Sequence, residues 1–116
     1  VDEDKEVLAV QLELMIKIYG GTSVRDCEYP GWEYKEDSYV RDSICRVYEE
    51  VTGQKMMVQA IHAGLECGYF VSKRHGLDCV SIGPEINDVH SPKETINIQS
   101  VQRLWKVLVQ VLEQMK

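Results

Sequence analysis

Lys55-Met56-Met57-Val58-Gln59-Ala60-Ile61-His62-Ala63-Gly64-Leu65-Glu66 is the stretch on which the fold turns. Its first seven residues form a short, nearly continuous apolar run, which suits a strand buried on both faces. The run breaks at a Gly-containing turn, and a short helix is expected through Tyr69 to Ser72. A second run of the same kind, Asp78-Cys79-Val80-Ser81-Ile82, ends at Gly83-Pro84. Strands of this type, separated by helices, imply a parallel or mixed α/β sheet covered on both faces.

The flanking segments supply those helices. Val40, Ile44, Val47, Tyr48 and Val51 recur at helical spacing, with Asp37 or Ser38 as the cap and Gly53 as the stop. Asn97 is the expected cap of a last helix whose apolar stripe is Val101, Leu104, Trp105, Leu108, Leu112 and Met115. Upstream, Val7, Leu8, Leu14, Met15 and Ile18 make an amphipathic helix over Asp4 to Tyr19, ended by Gly20-Gly21. A short β-like segment, Thr22 to Glu28, precedes the turn Tyr29-Pro30-Gly31-Trp32. Two buried strands make a poor parallel sheet by themselves, so the pattern reads as an incomplete domain.

Composition narrows the function classes. The 116 residues suffice for one small domain, and the 44% apolar and 28% charged shares are ordinary for a soluble globular protein. No apolar run approaches the roughly 18–20 residues of a membrane span, so no membrane partner is expected. A net charge of −6 with scattered basic residues argues against nucleic acid, because counterion release rewards clustered Lys and Arg. The opening Val1 in VDEDKE, without a Met, reads as an excised domain or processed product, and Met removal or a trimmed tag would look the same. Cys27, Cys45, Cys67 and Cys79 show no CxxC pair, and reduced thiols in a cytoplasmic setting are expected.

Ligands of open α/β sheets gather beyond the carboxyl ends of the strands. Two segments occupy that place: His62 to Glu66 after the first strand, and Gly83 to Glu94 after the second. His90 suits zinc chemically, although taken alone it reads more simply as a solvated loop histidine. His62 and Glu66 stand four apart, but Gly64 between them favours a strand-to-helix turn over a continuous helix. Glu66 then sits near a helix N-terminus, where free N–H groups around Gly64 and Leu65 could face a substrate carboxylate. The plainer alternative is a structural cap at Glu66 and a core histidine at His62. Cys67 lies in the apolar stretch Cys67-Gly68-Tyr69-Phe70 and reads as a packed thiol, while His75 reads as solvated.

Ala60-Ile61-His62-Ala63-Gly64-Leu65-Glu66-Cys67-Gly68, followed by Ser81-Ile82-Gly83-Pro84 and His90-Ser91-Pro92-Lys93-Glu94, resembles the C-terminal third of aminoacyl-histidine (Xaa-His) dipeptidases of the M20 metallopeptidase family. Tyr29 to Trp32 and Ser100 to Trp105 add to the resemblance, which runs in order from about Tyr29 to the end. It implies a partial three-layer α-β-α catalytic domain over residues 30–116, preceded over residues 1–29 by the last helix and strand of an α+β lid. It implies two divalent ions, zinc or else cobalt or manganese, that lower the pKa of a bridging water and polarise the scissile carbonyl. His90 is then the metal-ligating histidine of this segment. His62, Gly64 and Glu66 line the substrate side. The general base and the remaining ligands belong to a missing N-terminal catalytic segment, so no catalytic residue is expected here. The metals are not expected to be fully held, and the chain alone is expected to be inactive on short peptides. Exposed core faces would then favour self-association. The competing reading is a stand-alone, non-catalytic α/β binding or oligomerisation module.

Overall fold

The computed structural model describes residues 2–61 and 63–115. Its elements in chain order are α1 (Asp2–Ile18), α2 (Tyr39–Thr52), α3 (Glu66–Lys73), β1 (Ile86–Asn87), β2 (Thr95–Ile96) and α4 (Ile98–Gln114). The chain divides into two compact units, one of residues 1–35 and 61–77, the other of residues 36–60 and 78–116.

The second unit holds the core. Ile44 and Val47 of α2 meet Val107 and Val111 of α4, and these four are the buried apolar residues among those described. Full burial of an aliphatic side chain of this size contributes roughly 1.5–3 kcal/mol. Val40, Tyr48, Val51, Met56, Val80 and Ile82 pack around them, partly buried. Both helices start and stop where their end residues dictate. The Ser38 side chain accepts from the Arg41 amide at 3.1 Å, and Gly53 closes α2 in the left-handed conformation at φ 71°. Asp78 reinforces that start: it accepts from the Ser38 hydroxyl at 2.6 Å and from the Val40 amide at 2.9 Å. The Asn97 side chain accepts from the amides of Gln99 and Ser100, capping α4.

The strand expectations fare differently. Residues 55–61 and 78–82 carry no regular secondary structure, and neither does Thr22 to Glu28. The sheet among the described residues is an antiparallel pair, β1 against β2, with Ile86 opposite Ile96 and Asn87 opposite Thr95. A strand exists only through ladder partners, and a parallel ladder needs a partner far away in sequence. Met56, Val80 and Ile82 instead bury part of their surface as coil against the α2–α4 core.

The last helix also differs from expectation. It buries Ser100, Val107 and Val111, whereas Val101, Trp105, Leu108 and Leu112 remain exposed, Trp105 at 66%. The helix is apolar over two adjoining stripes, and the described residues cover one of them.

In the first unit, α1 buries no residue, and Val7, Leu8, Leu12, Leu14, Met15 and Ile18 are each more than half exposed. Polar clasps hold the following chain to it. Arg25 bridges Glu6 and Glu13 at 2.6 Å each, and the Asp2 carboxylate accepts from the Gly31 amide at 2.5 Å. The Lys5 ammonium donates to the Tyr29 carbonyl.

Candidate functional site

His90 rides on a short hairpin. Its base is closed by the Asn97 amide donating to the Glu85 carbonyl at 3.0 Å, one step outside the two-residue ladder. The Glu85 side chain joins the hairpin to α4: it accepts from Asn97 Nδ2 at 2.8 Å and from Arg103 at 2.5 Å. The Glu85 amide in turn donates to the buried Ser100 hydroxyl at 2.9 Å. A cleft of about 100 Å³ opens beside Glu85, between Tyr48, Met56, Pro84, Ser100 and Leu104.

The tip is built from consecutive turns. Ser91 N–H donates to the Asp88 carbonyl and Glu94 N–H to the Ser91 carbonyl, both at 3.1 Å. The Lys93 amide donates to Ser91 Oγ at 3.1 Å. Asp88 and His90 adopt positive φ, 52° and 63°. Asp and His are among the non-glycine residues that tolerate this region best, at a cost of roughly 1–2 kcal/mol each. One clasp opposes that cost: the backbone amide of His90 donates to Glu94 Oε2 at 2.7 Å. A hydrogen bond to a charged acceptor contributes roughly 1.5 kcal/mol at the low end of its range, which is of the same size as the strain at His90 alone.

The other candidates lie in the first unit. Glu66 is the first residue of α3, and the N-cap Leu65 offers no side-chain hydrogen bond, so a carboxylate stands at an uncapped helix start. That is the strand-to-helix turn geometry expected, with the strand replaced by coil. A Cβ at Gly64 would lie 2.7–2.9 Å from three atoms of the Tyr29 ring. A Cβ at Gly68 would lie 2.7 Å from the Pro30 carbonyl oxygen. Tyr29 also packs on Tyr69 with centroids 5.2 Å apart. The glycines of this motif therefore admit the Tyr29-Pro30 segment, a packing function that sequence reading had not assigned. The turn expected at Tyr29 to Trp32 is not formed there; the segment carries no turn or regular structure. His62 lies outside the described residues. Cys67 is half-buried and His75 is exposed.

An exposed imidazole on a clasped hairpin tip suits one coordination position of a divalent cation. Among the described residues no group of three or more His, Cys, Asp or Glu side chains converges to hold a metal ion.

No family model matches the chain. The cytosol non-specific dipeptidase of Escherichia coli (strain K12) is 34% identical to it over 114 residues, 98% of this chain. The chain is related in sequence to that dipeptidase. It spans about a quarter (24%) of the relative's length. The resemblance read from the His62–Gly68 and His90–Glu94 motifs thus has a hydrolase behind it, and the likeness covers both units rather than the motifs alone. Two residues of the hairpin escaped the sequence reading as contributors. Glu94 stood inside the quoted motif without a role, although four residues is a span a carboxylate can bridge across a tight turn. Glu85, next to Gly83-Pro84, gave no signal at all.

Proposed function

We propose that this chain is the C-terminal part of a di-metal dipeptidase, in which His90 supplies one metal ligand. The observation that carries the reading is 34% identity over nearly the whole chain to a dipeptidase four times its length. The clasped, exposed His90 supports it geometrically. Bound divalent metal, zinc or else cobalt or manganese, would supply a water of lowered pKa and polarise the scissile carbonyl. This chain's own part is to hold an imidazole at a fixed place and to form a wall of the substrate site. In that wall, Glu66 and the amides at the start of α3 meet the polar end of a short peptide; His62 is the further substrate-binding candidate. Xaa-His and related dipeptides are the proposed substrates, and the cytoplasm is the proposed location. Residues 1–29 are the tail of a lid domain and residues 30–116 the returning catalytic segment. The missing N-terminal segment provides the general base and the remaining ligands.

The test is direct. The pure chain, supplied with Zn²⁺ or Mn²⁺, should hydrolyse no dipeptide. Efficient cleavage by the 116 residues alone would end the proposal.

A second reading has its own observation. The bare apolar faces of α1 and of α4 suit a binding or oligomerisation module. Both readings expect the isolated chain to self-associate. They part over the rest of the sequence: addition of the missing catalytic segment creates hydrolysis only under the first.

A further inference from the structure

We infer that Glu94 is a positioning residue for His90, acting through the backbone rather than through the ring. The inference rests on the reading of His90 as a metal ligand and adds a residue to it. Three features converge on this assignment. His90 adopts φ 63°, a left-handed conformation that costs a non-glycine residue energy, although His tolerates it better than most, and that surrounding contacts must offset. The Glu94 carboxylate accepts from that same residue's amide at 2.7 Å. The loop between His90 and Glu94 is itself closed by the Ser91 carbonyl and hydroxyl, so the carboxylate reaches back across a preformed turn. The hairpin base is fixed separately by Glu85 on Asn97, Ser100 and Arg103, so the Glu94 carboxylate acts at the tip, on the His90 amide itself. A ligand held this way meets a metal already oriented, as groups outside a coordination sphere orient those within it.

The experiment compares the wild-type chain with Glu94→Leu, which removes the acceptor, and Glu94→Gln, which keeps one. Amide hydrogen exchange at His90 reports the clasp. Copper(II)–iminodiacetate, a probe with open positions for a single imidazole, reports the ring, through NMR broadening of His90 with exposed His75 as internal control. In Glu94→Leu the His90 amide should exchange about tenfold faster, and probe affinity at His90 should fall by about tenfold. Glu94→Gln should restore both to within about threefold, and His75 should respond alike in all three proteins. Unchanged probe affinity in Glu94→Leu would overturn the inference even if the amide were freed, because the clasp would then be structural only. Equal behaviour of the Leu and Gln variants would overturn it too. Failure of the metal-ligand reading shows elsewhere, as dipeptide hydrolysis that survives His90→Ala in the completed enzyme.

Discussion

The Tyr29 ring rests on Gly64, so close that a single added carbon would fall 2.7 Å from it. This contact joins two motifs separated by more than thirty residues, and it makes Gly64 a spacing residue as much as a member of a candidate substrate wall. Gly64→Ala should therefore destabilise the first unit by about 1–3 kcal/mol, the usual cost of overpacking. Gly83→Ala is the matched control, because nothing lies within 4 Å of its added carbon. Chemical denaturation of both variants, followed by tyrosine fluorescence and hydrogen exchange, measures the difference.

The α2–α4 contact gives the second expectation. Val47 and Val107 have no exposed surface, so Val47→Ala or Val107→Ala should cost about 2 kcal/mol through lost burial and the cavity left behind. Trp105→Ala should cost the isolated chain under about 1 kcal/mol despite removing a far larger side chain, since surface changes away from special features cost little. Urea midpoints of the three variants decide the ranking.

The bare stripe of α4 gives the third. If Trp105 and Leu108 drive association between copies, Trp105→Lys together with Leu108→Lys should shift light scattering toward monomer without lowering the urea midpoint. Unchanged scattering would move the contact to α1, whose apolar residues are equally bare.

Charge gives the fourth. Arg25 hydrogen-bonds the Glu13 carboxylate and holds it below the usual glutamate range. A carboxylate whose pKa is depressed on folding stabilises the fold above its unfolded pKa, and loses that contribution as pH falls through the lower folded value. The advantage of wild type over Arg25→Gln should therefore be present at neutral pH and vanish in acid. High salt should also shrink it, because both side chains remain partly exposed to solvent. Protease sensitivity of residues 22–28, measured against pH and salt, checks both.

How far the sequence disclosed this structure depends on whether each feature is local. Ser38, Gly53 and Asn97 name the ends of α2 and α4 because a cap is settled within four residues. The runs at 55–61 and 78–82 announce a need for burial but not its source. A strand is defined by a partner's ladder, and these runs carry no strand among the described residues. Helical periodicity marked α4 as apolar, but it put Trp105 and Leu108 in the core, whereas the buried stripe is that of Val107 and Val111. His90 was legible as a candidate through its motif. Its left-handed backbone and the Glu94 clasp were not, because they arise only once the turn has closed.

The central claim is that His90 completes a metal site whose other ligands lie on a different part of the polypeptide. The most direct measurement mixes this chain with the related dipeptidase lacking the matching segment, adds Zn²⁺, and assays dipeptide hydrolysis with His90 intact or replaced by Ala. The expected result is metal-dependent hydrolysis with the wild-type chain and its loss, by at least about 100-fold, with His90→Ala. Equal hydrolysis by the two mixtures would contradict the claim.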